Sequence, residues 1–133
     1  MAVIDASVWI AFLKGEGNDL FFEQAKHIIH LISSQERIRL PAITFTEVAG
    51  VIKRTTQDNA FARGAILYMK DLEPEVFVDF GVLEPIATEI AINHSLKGAD
   101  ACYLAVAQIT RSNLYTFDKQ QQEAFDAISK TWH

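Results

Sequence analysis

Along this chain short runs of uniformly apolar residues are separated by longer stretches whose apolar positions recur every three or four residues. The first run, Ala2-Val-Ile, stops at Asp5 and predicts a buried strand ending there. Ala6-Ser-Val-Trp-Ile-Ala-Phe-Leu then predicts a helix to about residue 14, and the glycines and asparagine at 15–18 predict a loop. Asp19 opens an amphipathic helix with Leu20, Phe21, Ala25, Ile28, Ile29 and Ile32 on its apolar side. Residues 37–40 form a second short strand, followed by Pro41, and residues 43–54 a helix that carries Glu47. A helix over 58–72 places Phe61, Ala65, Tyr68 and Leu72 at helical spacing. Residues 75–78 read as a strand and 84–96 as a helix, with Pro85 in a first turn that tolerates it. Gly98 precedes a helix running to about Thr110; residues 113–117 form a strand, and 118–129 the last helix.

This regular alternation predicts a three-layer α/β/α sandwich around a central, mostly parallel sheet. With 133 residues and no internal repeat or linker, a single domain over 1–133 is expected. Half the residues are hydrophobic, which supports a packed core and excludes a disordered chain. No apolar run approaches the roughly 20 residues of a membrane span. The first residues lack the basic segment of a secretory leader. The single cysteine, Cys102, excludes an internal disulfide framework and a cysteine-based zinc site, and favours a reducing compartment, the cytoplasm. The four histidines form no metal-ligand spacing.

A net charge of −5, from 17 acids against 12 bases, argues against a partner held by a broad basic patch. That argument weakens where acids are gathered around a divalent cation, which inverts the local charge logic. Asp100 is the acid that asks for such an explanation. It lies four residues before Leu104 and seven before Ala107, on the apolar stripe of its helix, where a carboxylate is costly unless compensated. In an open parallel sheet, ligands bind beyond the carboxyl ends of the strands. Asp5 and Asp118 each follow a predicted strand; Asp100 and Glu47 each lie early in a helix, so all four can converge on one rim. Singly, Asp5 and Asp118 also read as helix N-caps and Glu47 as an acid favoured by the helix dipole. Jointly, they form an all-oxygen donor set suited to Mg²⁺ or Mn²⁺.

Val3-Ile-Asp-Ala-Ser-Val-Trp-Ile, Thr44-Phe-Thr-Glu-Val, Gly98-Ala-Asp-Ala-Cys-Tyr-Leu-Ala-Val-Ala and Tyr115-Thr-Phe-Asp resemble, in order, the successive motifs of PIN domains, VapC-type toxins and their free-standing prokaryotic relatives in particular. The resemblance covers nearly the whole chain. It implies a metal-dependent ribonuclease whose acidic site maps onto Asp5, Glu47, Asp100 and Asp118, with small hydroxyl residues beside it at Ser7 and Thr116. Where some members carry a further acid after the last one, this chain has Gln121 and Gln122. The resemblance also implies a homodimer and a cognate antitoxin, for which Phe21, Phe22, Phe61 and Tyr68 would offer apolar faces. Lys14, Lys53, Arg54, Lys97 and Lys119 lie near the motif ends and are candidates for contacts to RNA phosphates. Two other readings share the acids: a non-catalytic binding module stabilised by a cation, and an aspartyl-phosphate domain with Asp5 as nucleophile. The latter wants a second acid close to the first, and Asp5-Ala-Ser does not supply it.

Overall fold

The structure is a computed structural model that describes residues 1–15 and 19–132. Apart from Gly15, the predicted loop at 15–18 lies outside the described residues. Four short strands, β1 (Ala2–Ile4), β2 (Ile38–Pro41), β3 (Glu75–Phe77) and β4 (Asn113–Tyr115), form one sheet in the order β3-β2-β1-β4. Every pairing is parallel: Val3 aligns with Arg39 and with Leu114, and Leu40 with Val76. The helices are α1 (Ala6–Lys14), α2 (Asp19–Gln35), α3 (Ile43–Thr56), α4 (Asn59–Asp71), α5 (Phe80–His94), α6 (Gly98–Thr110) and α7 (Lys119–Ser129). Together these form the expected three-layer α/β/α arrangement.

The strand order decides where a site can be. The chain steps outward from β1 to β2 to β3, then crosses back to lay β4 against the other side of β1. The reversal lies between β1 and β4, and the crevice beyond the carboxyl ends of those two strands is the topological switch point. Asp5 directly follows β1, and its N–H donates to the Tyr115 carbonyl at the end of β4 (3.1 Å). Behind this rim α6 packs across β1, β2 and β4, with α5 beside it. That position explains why Ala101 to Ala107 are buried without interruption: α6 meets neighbours on every side rather than on one stripe. Trp9 is fully buried and donates its indole N–H to the Ile4 carbonyl (3.0 Å), pinning α1 to β1.

Three expectations about faces and boundaries need correction. On α4 the buried ridge is Ala62, Ala65 and Met69, whereas Phe61 and Tyr68 are exposed. On α2, Ala25, Ile29 and Ile32 are buried but Leu20 and Phe21 are exposed, Phe21 lying beside the Phe117 ring. Finally, α5 begins at Phe80, four residues before the predicted start, because Asp79 caps it by accepting the Gly81 N–H (2.9 Å). Pro85 therefore stands inside the helix rather than in its first turn and removes one backbone donor there.

Candidate functional site

Asp5 is the centre of the rim. Its backbone is extended (φ −81°, ψ 173°), which turns the chain from β1 into α1 and places its carboxylate over the start of the helix. Oδ1 accepts the Ser7 hydroxyl (2.6 Å), the Ser7 N–H (3.0 Å) and, at longer range, the Val8 N–H (3.4 Å). Oδ2 accepts the Thr116 hydroxyl (2.6 Å). Each hydroxyl is used twice. Ser7 Oγ also accepts the Phe117 N–H (3.0 Å), and Thr116 Oγ1 also accepts the Asp118 N–H (2.9 Å). The carboxylate thus ties the end of β1 to the segment that leaves β4 for α7. Only 3% of Asp5 is exposed, and burial pushes its carboxyl above the ordinary range although all of these hydrogen bonds pull it down.

A second pair stands beside it. Asp118 is the N-cap of α7, its Oδ1 accepting the Gln121 N–H (2.8 Å). Asp100 is the third residue of α6 and half-buried; burial and the nearby Asp118 charge raise its carboxyl, while Gln121 and Lys97 ease it. Glu47, on α3, accepts the Tyr103 hydroxyl (2.6 Å). Tyr103 is buried one turn after Asp100, and its hydroxyl is pushed far up by burial, by its bond to Glu47, and by the Glu47 and Asp5 charges. Asp100 and Asp118 therefore stand as a pair that feels mutual repulsion, while Glu47 is held by Tyr103. Thr116 links Asp5 to this pair, bonded to Asp5 on one side and to the Asp118 N–H on the other.

Among the described residues no three Asp, Glu, His or Cys side chains are drawn tightly enough together to make a ready-made metal cage. Hydroxyl side chains, those of Ser7, Tyr103 and Thr116, bond to the carboxylates of the rim. The donor set nevertheless suits a hard, hydrated cation. It is all oxygen, it carries repulsion that the protein's own groups leave in place, and Mg²⁺ keeps several waters that span gaps between carboxylates.

Ser7 and Thr116 both donate to Asp5, Thr116 reaching it from beside Asp118. Lys97 precedes α6 and acts on Asp100; Lys119 follows Asp118 and faces Glu123 at 4.0 Å. Lys14 ends α1. Arg54 lies in the last turn of α3, and Lys53 shares a cleft of about 460 Å³ between α3 and α4 with Arg63 and Lys70. Tyr103 and Gln121 were missed as site residues. Their signal was positional, three residues after Asp100 and three after Asp118, hence on the same helix faces. A core-type aromatic and a neutral amide do not advertise chemistry.

A family model described as PIN domain matches residues 2–127. No curated protein matches significantly. Among solved structures, VapC20 of Mycobacterium tuberculosis, described as a sarcin-ricin loop cleaving toxin, superposes with a TM-score of 0.75 at 19% identity, covering 93% of this chain and 95% of that one. PAE2754 from Pyrobaculum aerophilum superposes with a TM-score of 0.66 at 18% identity, covering 97% and 92%. At these identities the two likenesses show a shared fold.

Proposed function

Because this chain belongs to the PIN-domain family, we propose that it is an endoribonuclease that hydrolyses RNA phosphodiester bonds with Mg²⁺ or Mn²⁺ as cofactor, acting as a cytoplasmic toxin of a toxin–antitoxin pair. The observation that carries this reading is the buried Asp5 carboxylate at the switch point, beside an Asp100–Asp118 pair whose charges repel. An acid kept only for structure gains nothing from further acids beside it; a cation site requires them. The likeness to VapC20, a toxin, supports the toxin assignment.

Asp5, Asp100 and Asp118 would hold the ion, with Glu47 as a further ligand or as the group that orients the attacking water. When bound, the ion would lower the pKa of a coordinated water and offset charge on the scissile phosphate. Ser7 and Thr116 fix the direction of both Asp5 oxygens. Tyr103 occupies one Glu47 oxygen, Oε1. Lys97 and Lys119 flank the acids and would meet RNA phosphates, and Lys53, with Arg63 and Lys70 at its cleft, would hold the strand farther out. An aspartyl-phosphate mechanism is disfavoured, because it wants a second acid close to the nucleophile and Asp5-Ala-Ser does not supply one. A homodimer is supported by exposed apolar residues, Ile43, Val78 and Phe80, around one cavity.

The test is cleavage of single-stranded RNA by the purified protein. Activity is expected with Mg²⁺ or Mn²⁺ and not with EDTA. Asp100→Asn should lower the rate by more than about 100-fold, the upper end of what losing a supporting residue costs a metal site. Cleavage that survives both EDTA and the substitution overturns the reading.

A further inference from the structure

Gln121 is fully buried, and neither its Nε2 nor its Oε1 has a hydrogen-bond partner among the described residues. Burying an unpaired polar group is costly, so few such groups survive in folded proteins without a use. The surroundings indicate the use. The Gln121 backbone N–H holds Asp118 Oδ1 at 2.8 Å, which fixes the first turn of α7 relative to the acid that caps it. The side-chain amide of the same residue lies close to the Asp100 carboxylate yet completes no hydrogen bond with it. One residue therefore acts on both members of the repelling pair, through its backbone on one and its side chain on the other.

We propose that Gln121 is a positioning residue for the cation site, its amide completing its hydrogen bonds only when a hydrated divalent ion is seated between Asp100 and Asp118. The inference rests on the cation-dependent reading above. The complementarity is specific to an amide. An ionised carboxylate only accepts hydrogen bonds, and the waters of a hydrated cation only donate outward. The amide has donors for the first and an acceptor for the second. Nε2 donates to Asp100 and sets its carboxylate toward the ion; Oε1 accepts from a water of the ion. An apolar side chain of equal size would serve neither partner. A glutamate would serve the water alone and add a third charge to the pair.

The test compares the full-length wild type with Gln121→Met, which keeps the volume and removes the amide. In EDTA the variant is expected to melt at or above the wild-type temperature, because an unpaired buried amide has been replaced by an apolar group. Its Mg²⁺ affinity, measured by calorimetry, is expected to fall about 10- to 100-fold. In the unsubstituted protein, the Gln121 side-chain amide resonances are expected to shift as Mg²⁺ is added. The inference is overturned if Gln121→Met binds Mg²⁺ as tightly as the wild type, whatever its melting temperature, or if the wild-type Gln121 resonances stay in place at saturating Mg²⁺. A wild-type protein that binds neither Mg²⁺ nor Mn²⁺ overturns the cation-dependent reading itself, an outcome read before the variant is compared.

Discussion

Individual residues at the rim are coupled through shared atoms. Asp5 takes a hydroxyl on each oxygen, and each hydroxyl accepts a backbone N–H in turn, so removing either hydroxyl orphans one backbone donor; losing that of Thr116 also strips Oδ2 of its partner, whereas Oδ1 keeps the Ser7 and Val8 N–H groups. Thr116→Val, which keeps the shape, is expected to lower unfolding stability by about 1–3 kcal/mol, as is Ser7→Ala. Because both serve the same carboxylate, the double variant should lose measurably more or less than the sum, which urea denaturation of the four proteins would show. Additive losses would mean that the two hydroxyls act independently. Asp100 allows a pH test. Its carboxyl is raised in the folded protein, so the ionised form costs stability near neutrality, and the cost disappears as pH falls through the folded value toward the ordinary 3.8. In EDTA, the stability of the wild type relative to Asp100→Asn should therefore rise between pH 7 and pH 4. A difference that is flat with pH would mean that Asp100 feels neither burial nor Asp118. Tyr103 shows why such a site is only partly legible in a sequence: its ring is core, its hydroxyl belongs to the site, and a hydropathy pattern records only the ring.

At the scale of elements, α6 decides how close the acids come. It lies across three strands, and its alanines let the backbone approach the sheet: Ala101, Ala105 and Ala107 are all essentially inaccessible. Ala105→Leu is expected to destabilise by about 1–3 kcal/mol through overpacking, seen as a lower urea midpoint at unchanged slope. An unchanged midpoint would mean the helix has room to retreat. Small residues also explain where the periodicity misled. On α4, which packs against α3, the larger Phe61 and Tyr68 suggest the buried ridge, but the residues buried are Met69 and the small Ala62 and Ala65, which a hydrophobicity pattern ranks lower. The start of α5 was hidden for a different reason. Val78-Asp-Phe-Gly continues an apolar run from β3, and the Asp79 cap inside it is visible only once the chain is seen to turn. Strand positions, by contrast, were legible to within a residue or two, since each short apolar run ends at a proline, an aspartate or a change of period.

For the whole molecule, topology turns scattered acids into a site. Asp5, Glu47, Asp100 and Asp118 are separated by more than a hundred residues from first to last, and their order along the chain carries no distances. The sequence could show that each lies early in a helix or after a strand. It could not show that β4 returns to pair with β1, nor that the Tyr103 hydroxyl bonds to Glu47. The same topology leaves an apolar surface unclaimed. Ile43, Val78 and Phe80 line a cavity of about 440 Å³ at the carboxyl ends of β2 and β3, and Val82 is exposed on the adjoining helix. Val78 is 79% exposed and Phe80 59%, more than the aromatic residues first expected to meet a partner, of which Phe61 is 41% exposed. The cavity is lined without a charged residue, so its occupant needs no charge complement, and a second copy applied about a two-fold axis would cover the patch with itself. If the proposed homodimer uses this surface, Phe80→Glu should convert a dimer into a monomer in size-exclusion light scattering at micromolar concentration. Its melting temperature, extrapolated to low concentration, should match that of the wild type, because Phe80 contributes little to the core of one chain. A Phe80→Glu protein that remains dimeric places the contact elsewhere, and a wild type that is monomeric under the same conditions removes the homodimer.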